Sequence, residues 1–202
     1  MSNKENENKG KKLILSLYEW IETFCTALVC VVVIFTFLCR FVTVDGNSMN
    51  NTLHHGDRLI ISDLFYTPKC GDVVVVHDSG EKHFEGPVIK RVIATAGETV
   101  DIEPETWTVT VTDVNGNKRT IDEPYVNFVE GSPMFVPESE NYYTNAILLS
   151  EYPHTVKDGC VFVMGDNRNA SLDSRFVGDI DARKILGKAY VRVFPNPSID
   201  FN

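Results

Sequence analysis

A serine in a short polar segment and a lysine in an apolar strand are the residues of this chain best suited to do chemistry together. Ser48 lies in "DGNSMNNTL" (residues 45–53), surrounded by turn-forming residues. Lys90 lies in "PVIKRVIATAG" (87–97), where strand alternation places it on the same side as two valines. A lysine there either reaches solvent or loses water, and loss of water lowers its pKa toward that of a general base. A Ser-Lys pair can activate a serine where no histidine serves.

A second group of polar residues follows an apolar strand in "MGDNRNASLDSRFVGDI" (residues 164–180). Loops at the ends of rigid strands commonly carry functional groups. Aspartates and arginines at this density favour bidentate ion pairs that fix the backbone, although a solvated turn with incidental pairs fits the same pattern. Two arginines inside the loop argue against a calcium site. The polar residues of this loop are Asp166, Asn167, Arg168, Ser171, Asp173, Ser174 and Arg175.

The histidines and cysteines indicate no competing site. No GxSxG elbow or triad context is present, so we interpret all histidines as surface or loop residues: His54, His55, His77, His83 and His154. The five cysteines form no CxxC pair or cluster with histidine, so zinc has no support, and we predict no metal and no other cofactor. Cys70 and Cys160 could pair in an extracytoplasmic domain, but we favour two unpaired buried thiols.

An uncharged run, residues 23–39, predicts a membrane helix. With its apolar flanks the predicted helix covers residues 21–42, roughly the 20 residues that a bilayer core requires. The run lacks the small-x-small cleavage site of a secretory signal peptide. It also lacks a polar face, which argues against a core helix of a globular domain. The lysines of "KGKK" (9–12) are typical of a cytoplasmic flank. We therefore expect residues 1–20 inside the cell, residues 43–202 outside, and the lipid bilayer as a partner.

Beyond the apolar run, short bursts of Val, Ile and Thr separated by turn residues predict a mainly β, antiparallel domain. The predicted strands cover residues 57–64, 71–78, 87–97, 106–113 and 160–166. Asn115-Gly116 indicates a type I′ hairpin turn that joins residues 107–113 to 118–122. Residues 98–155 are expected to form an inserted subdomain, in which 130–153 have no clear pattern. "IDARKILGK" (180–188) is expected to form a turn or a short helix.

The charge of the chain is unevenly distributed. Residues 1–40 hold five basic and four acidic residues, whereas the remainder holds 14 basic and 24 acidic ones. So acidic a body repels phosphate backbones, and we therefore predict no nucleic-acid partner.

Taken in order, the apolar anchor, "SMNNTL", "GDVVVV", "KRVIATAGE" and "GDNRNASLDSR" resemble the bacterial type I signal peptidases. Members of that family are membrane-anchored Ser-Lys proteases that release secreted proteins from their signal peptides. The similarity spans roughly residues 25–187, and the modest inserted region is similar to that of many Gram-positive members. Each block alone is modest evidence, but four blocks in order after one anchor are specific. The resemblance implies an antiparallel β catalytic domain behind one transmembrane helix.

The resemblance also implies a role for each matching residue. Ser48 would be the nucleophile and Lys90 the general base, while the backbone N–H groups of Ser48 and Gly46 would bind the oxyanion. Ser171 would hydrogen-bond the lysine amine and orient it. The supporting residues would be Asp173 and Arg175, as an ion pair that holds the loop under the site, together with Arg91, Asp166 and Arg168.

The chain departs from the family pattern at two positions. Many members have proline at the position of Asn51, so the turn would lose some rigidity here. Some members have a serine that donates to the oxyanion where this chain has Gly46, so oxyanion binding would depend on backbone N–H groups. Neither change removes a catalytic group.

The implied function is an endopeptidase that removes N-terminal signal peptides from exported preproteins after small residues. The extended substrate segment would add as a strand at a sheet edge. One alternative is a self-cleaving Ser-Lys repressor, against which the anchor argues. The others are a catalytically idle relative acting as an assembly chaperone for surface proteins, and an anchored β-rich binding module, which has no use for a Ser-Lys pair.

Overall fold

The computed structural model describes residues 2–33, 35, 40–77, 84, 86–103, 105–126, 128, 134, 152–199 and 201. The chain divides into two units, Met1–Arg40 and Phe41–Asn202. The second unit is built from antiparallel strands, which confirms the mainly β prediction.

The first unit is a long helix, α1 (Ser2–Val33). Its part Ile14–Val33 is long and apolar enough to cross a membrane, since 20 residues at a rise of about 1.5 Å extend for about 30 Å. Large apolar side chains of this part are exposed, with Trp20 at 74% and Phe24 at 69%. A helix that is apolar all round fits a lipid environment better than a surface helix of a globular domain.

The predicted helix bounds of 21–42 differ from the observed ones at both ends. The helix begins earlier, because the polar residues before Ile14 continue the same helix. At the other end, Arg40–Thr43 forms a strand, so the last residues of the predicted helix are not helical. Residues 36–39 lie outside the described part of the chain.

The second unit contains these strands and one short helix: β1 (Arg40–Thr43), β2 (Arg58–Ser62), β3 (Val73–Val76), β4 (Val88–Thr95), β5 (Thr99–Glu103), β6 (Thr108–Thr112), β7 (Lys118–Thr120), β8 (His154–Thr155), β9 (Cys160–Met164), α2 (Ser174–Val177), β10 (Ile180–Asp181) and β11 (Ile185–Phe194). The larger sheet has the order β1-β2-β11-β3-β4-β9-β10, and the smaller one has the order β7-β6-β5-β8. All five strands predicted from the sequence are present, with bounds shorter by one or two residues at most ends. The smaller sheet lies within residues 98–155, for which a separate subdomain stays a prediction.

The centre of the larger sheet is buried on both faces. Val73 and Val75 of β3 pack into one hydrophobic cluster, and Val74 and Val76 pack into another. A strand with two buried faces needs a continuous apolar run rather than an alternating one, which explains the four valines. β4 lies beside β3, and Lys90 is paired with Val74. The lysine singled out from the sequence therefore lies in the middle of this buried region.

The hairpin between β6 and β7 is present, but its turn is not of type I′. That turn type needs positive φ at both central residues, and in the described residues of this loop only Gly116 has it, at +85°. The Asp113 carboxylate instead accepts hydrogen bonds from the backbone N–H groups of Asn115 and Asn117 at 2.8 and 2.9 Å. This aspartate stabilises a longer loop, and Asn-Gly alone did not reveal it.

The segment 180–188 is mostly strand, so the expected short helix is wrong apart from one turn. A 3₁₀ turn covers Ala182–Lys184, and β11 starts directly after it and runs between β2 and β3. Gly187 of β11 allows a close approach to β2, because a Cβ there would lie 2.8 Å from the carbonyl carbon of Ser62.

Candidate active site

The turn that carries Ser48 is fastened to the core from both sides. Met49 and Leu53 are 1% and 0% exposed and pack with Val44, while the Ser48 side chain stays partly exposed. Within the turn, the N–H of Leu53 donates to the Met49 carbonyl at 2.8 Å. Buried anchors on either side of a partly exposed hydroxyl give Ser48 a fixed position without hiding it.

Asn51 explains the departure from the family's proline. Its φ is +82°, in the left-handed region, which asparagine tolerates and proline cannot adopt. From the sequence alone, the absence of proline predicts a less rigid turn. In this turn, however, a proline would not fit the backbone at all.

Lys90 reaches Ser48 from β4. Its Nζ donates to Ser48 Oγ at 2.8 Å and to the Ile89 carbonyl at 3.1 Å. The lysine is 2% exposed, and its burial lowers its pKa to about 8, against the opposing charge of Asp173. Of the two alternatives that the sequence left open, a solvated lysine and one stripped of water, the structure has the second.

At this pKa, roughly one lysine in ten is neutral at pH 7 and half are neutral at pH 8. A neutral amine 2.8 Å from a hydroxyl can accept its proton directly. The arrangement can therefore convert Ser48 into a nucleophile without histidine.

The loop of residues 165–175 closes the site against the serine turn. The backbone N–H of Asn167 donates to the Ser48 carbonyl at 3.0 Å, and its side-chain amide donates to the Asn47 carbonyl at 3.1 Å. Thr52 Oγ1 donates to the Asp166 carboxylate. Three hydrogen bonds thus join the two loops.

Each arginine predicted to support the site is buried in a bidentate ion pair. Arg91 donates to both oxygens of Asp166 at 2.9 and 2.7 Å, and Arg175 donates to both oxygens of Asp173 at 2.8 Å. Arg91 also lies over the Tyr125 ring, 3.7 Å from its centroid. Such planar pairs fix orientation as well as charge.

Arg168 has a partner that sequence reasoning missed. Its guanidinium binds both carboxylate oxygens of Glu123, and its Nε donates to the Gly165 carbonyl at 3.0 Å. Glu123 lies 45 residues before Arg168 in "IDEPY", with no motif around it. Only the folded chain brings the two together.

Asp173 is fully buried and ionised. Burial opposes its ionisation, but the charge and hydrogen bonds of Arg175 outweigh it and lower the pKa of Asp173 below its usual value. The carboxylate also accepts a hydrogen bond from the Gly165 N–H at 2.9 Å. This hydrogen bond joins Asp173 to Gly165, the first residue of the loop after β9.

Ser171 lies against Gly165 at the base of the site. A Cβ at Gly165 would lie 2.3 Å from Ser171 Oγ and 2.4 Å from the Ser48 carbonyl oxygen, so no residue with a side chain fits there. Ser171 is 2% exposed, and its side chain helps to lower the pKa of the neighbouring Asp173. The bond from Ser171 to Lys90 that the resemblance implied is not formed in this structure.

The histidines and cysteines mostly follow expectation. His54 and His55 are exposed loop residues, and His83 lies outside the described residues. His154 differs, because it lies in β8 and its ring is 2.7 Å from the Asp179 carboxylate. Cys70 and Cys160 are unpaired, as the sequence favours, but both are only partly buried rather than buried.

Comparison with known proteins identifies the family of the chain. The model of the signal peptidase family, peptidase S26, matches residues 17–194. Signal peptidase I of Bacillus licheniformis is 33% identical over 195 residues, which is 94% of this chain and 95% of that protein. Signal peptidase IB of Staphylococcus aureus strain MRSA252 is 30% identical over 195 residues, 92% and 94% of the respective chains.

A crystal structure of a signal peptidase I from Enterococcus faecalis V583 is also similar, with 25% identity and a TM-score of 0.43. The match covers 61% of this chain and 97% of that one. A TM-score of this size carries no weight by itself, whereas the sequence matches extend over nearly the whole chain. On those matches, this chain belongs to the signal peptidase family, peptidase S26.

Proposed function

We propose that this protein is a type I signal peptidase, which removes N-terminal signal peptides from exported preproteins by means of a Ser48–Lys90 dyad. The observation that carries the proposal is the 2.8 Å contact between Lys90 Nζ and Ser48 Oγ, with the lysine buried and its pKa lowered to about 8. A surface lysine would be charged at neutral pH and could not accept a proton. The buried one supplies a base at the required distance.

The reaction follows from these two groups. Neutral Lys90 accepts the proton of Ser48 as Oγ attacks the scissile carbonyl, and the ammonium then donates that proton to the departing amine. The resulting acyl-enzyme is hydrolysed when Lys90 takes a proton from a water molecule that attacks the ester. One amine thus serves both half-reactions.

The oxyanion would be bound by backbone N–H groups. Among the described residues, the Ser48 N–H has no hydrogen-bond acceptor, so it can donate to an incoming oxygen. Gly46, at φ +89°, would contribute a second N–H. A donor that is free in the resting protein needs no rearrangement when charge develops on the oxygen.

The supporting residues would hold the dyad rather than react. Arg91 follows Lys90 directly and is fixed by Asp166, which also accepts from the serine turn through Thr52. Asp173 and Arg175 would hold the loop that packs beneath the lysine. The third such arginine, Arg168, would fix the same loop through Glu123, and Ser171 would support the base of the site through its packing against Gly165.

The extended cleavage-site segment of the preprotein would add as a strand to a sheet edge. β1 is an edge strand of the larger sheet, and it leads into the turn of Ser48. Main-chain hydrogen bonds would give affinity, and shallow pockets would admit only small side chains. We further propose that Ile14–Val33 of α1 spans the bilayer, with the residues before Ile14 in the cytoplasm and residues 43–202 outside, as the lysines before Ile14 favour.

The test is cleavage of a preprotein with a small-residue cleavage site by the detergent-solubilised full chain. Wild type should release the mature protein, whereas Ser48→Ala should reduce cleavage at least about 10⁴-fold. Ser62→Ala, a serine of β2 outside the site, is the matched control and should cleave like wild type. If wild type binds the preprotein without cutting it, the idle-chaperone alternative replaces this proposal.

Membrane orientation needs its own experiment. Protease added to sealed, right-side-out membrane vesicles should digest the body of the protein and spare a fragment that contains α1. A body protected until detergent is added would reverse the proposed orientation and leave the chemistry untouched.

A further inference from the structure

We propose that Asn167 is a positioning residue that aims the Ser48 N–H, and with it the Ser48 hydroxyl, at the scissile carbonyl of the substrate. This inference rests on the proposed function and concerns the same site. The sequence places Asn167 in a polar loop and assigns it no role. Among the described residues outside its own loop, its hydrogen bonds are to the backbone of the serine turn.

One residue holds both peptide groups that flank Ser48. The backbone N–H of Asn167 donates to the Ser48 carbonyl at 3.0 Å, and its side-chain amide donates to the preceding carbonyl, that of Asn47, at 3.1 Å. The φ and ψ angles of Ser48 are the rotations between these two planar groups. When both planes are held, both angles are fixed, and so is the direction in which the Ser48 side chain leaves the backbone.

The Asn47 carbonyl belongs to the same peptide group as the Ser48 N–H. In a trans peptide the carbonyl and the N–H point in opposite directions, so a restraint on the oxygen is also a restraint on the N–H. That oxygen accepts a second hydrogen bond, from the Asn50 N–H at 3.1 Å. The Asn47 carbonyl thus accepts from two donors, while the Ser48 N–H of the same peptide group has no acceptor among the described residues.

A peptide group with this pattern is a stronger donor than an isolated one. Hydrogen bonds to a carbonyl polarise the whole amide and strengthen the bond that its N–H makes. They also prevent the peptide from rotating away at the moment when negative charge develops. Without the Asn167 amide, only the Asn50 N–H from the same turn would hold this oxygen.

Asn167 can serve as a restraint because it is itself held on both sides. Its neighbours Asp166 and Arg168 are 0% and 1% exposed and are fixed in ion pairs with Arg91 and Glu123. The Asn167 carbonyl accepts from the Ala170 N–H at 3.0 Å, at the start of a 3₁₀ turn. The amide therefore projects from a rigid base.

The experiment compares Asn167→Ala, Asn167→Asp and wild type in preprotein cleavage, with melting curves of each full-length protein in detergent. Asn167→Ala removes the side-chain donor and keeps the backbone one, and we expect kcat to fall about 10- to 100-fold with KM changed less than about twofold. Asn167→Asp has the same shape but presents an oxygen to the Asn47 carbonyl, and it should be slower still. The control is Asn117→Ala, which removes a similar exposed side-chain hydrogen bond, to Asp113, outside the site.

A peptide aldehyde that ends in alanine gives a readout that a merely structural role would not change. Ser48 Oγ adds to the aldehyde carbon, the carbonyl π bond opens to an alkoxide in the oxyanion site, and the hydroxyl proton passes to Lys90. Affinity for the aldehyde should fall with kcat across the variants, whereas affinity for the corresponding unreactive peptide alcohol should stay within about twofold of that of wild type.

The results separate the two proposals. A wild type that does not cleave refutes the proposed function. If wild type cleaves and both variants cleave at its rate, the role of Asn167 is refuted while the proposed function stands. Loss of the melting transition in both variants would also refute it, because Asn167 would then support the fold rather than the oxyanion. An Asn167→Asp variant as active as wild type would refute the role of the side-chain N–H donor.

Discussion

Replacing Lys90 by methionine should stabilise the protein at neutral pH while it abolishes cleavage. Methionine keeps the unbranched stem of lysine and carries no charge. The lysine has a pKa of about 8 in the folded chain, against a reference value of 10.5, because burial disfavours its ammonium. Below pH 8 the folded protein must therefore hold a charge that the unfolded chain carries more easily.

The size and sign of the effect follow from the two pKa values. Below pH 8 the charged lysine reduces the free energy of unfolding by about 3 kcal/mol, and between pH 8 and 10.5 the penalty declines by about 1.4 kcal/mol per pH unit. At pH 9 the remaining penalty is about 2 kcal/mol. The variant also loses the hydrogen bonds of Lys90 to Ser48 and to the Ile89 carbonyl, which offsets about 1 kcal/mol at every pH. The expected net gain is therefore about 2 kcal/mol at pH 7 and about 1 kcal/mol at pH 9.

The assay is urea unfolding of the full chain in detergent at pH 6, 7, 8 and 9, followed by the fluorescence of Trp107, which is 6% exposed. Lys157→Met is the matched control, since that lysine is exposed and its replacement should leave stability nearly unchanged at each pH. A gain that is the same at pH 7 and pH 9 would refute the depressed pKa, and so would a variant less stable than wild type at pH 7. Either result would remove the physical basis for Lys90 as a base.

Four further outcomes are expected. The cleavage rate should rise about tenfold per pH unit below pH 8 and level off above it, because only neutral Lys90 accepts a proton; a rate that falls over this range would exclude the lysine. Gly165→Ala should lower kcat at least about 100-fold, since its Cβ would overlap Ser171 and the Ser48 carbonyl, and an unchanged kcat would contradict this packing. Asn51→Pro should reduce the unfolding free energy by about 3 kcal/mol in urea unfolding, whereas Asn51→Gly, which accepts a positive φ, should not. Arg175→Met should reduce the unfolding free energy by about 3–5 kcal/mol, because the buried Asp173 would lose its partner. It should also move the midpoint of the pH–rate profile upward, because the unpaired carboxylate would raise the pKa of Lys90; an unchanged midpoint would show that the ion pair does not influence Lys90.

Much of the fold could be predicted from local pattern. The valine-rich segments became β3 and β4 because such residues suit a buried strand whatever its neighbours are. The pattern of residues 180–188 does not indicate the start of β11, because the chain changes from a 3₁₀ turn to a strand at Ile185 within that segment. The short β8 was missed as well, since two residues carry no periodicity of their own. Its pairing with β5 depends on contacts more than 50 residues apart.

Local sequence pattern predicts the residues of the site less well than it predicts the strands. Strand alternation limited Lys90 to two environments, but it could not choose between them, and it could not indicate a serine 42 residues away. That pairing came from the resemblance to a family. Glu123 lies in a segment without any distinguishing pattern, and Thr52 lies in the serine segment with nothing to indicate its partner; each binds a residue of the loop 165–175. Contacts of this kind exist only once the chain has folded, which is why sequence reasoning did not find them.

The pairing of charges around the dyad helps to explain why the pKa of Lys90 stays low. Three arginines and three carboxylates are buried there, and each arginine takes one carboxylate in a bidentate pair: Arg91 with Asp166, Arg168 with Glu123, and Arg175 with Asp173. Lys90 is left without a carboxylate partner among the described residues. An ammonium there would be an uncompensated buried charge, and a free carboxylate beside it would remove the penalty and return the pKa toward that of a surface lysine. The arginines therefore help to keep Lys90 neutral by pairing with the carboxylates that the described residues bring near it, as well as by holding its loops in position.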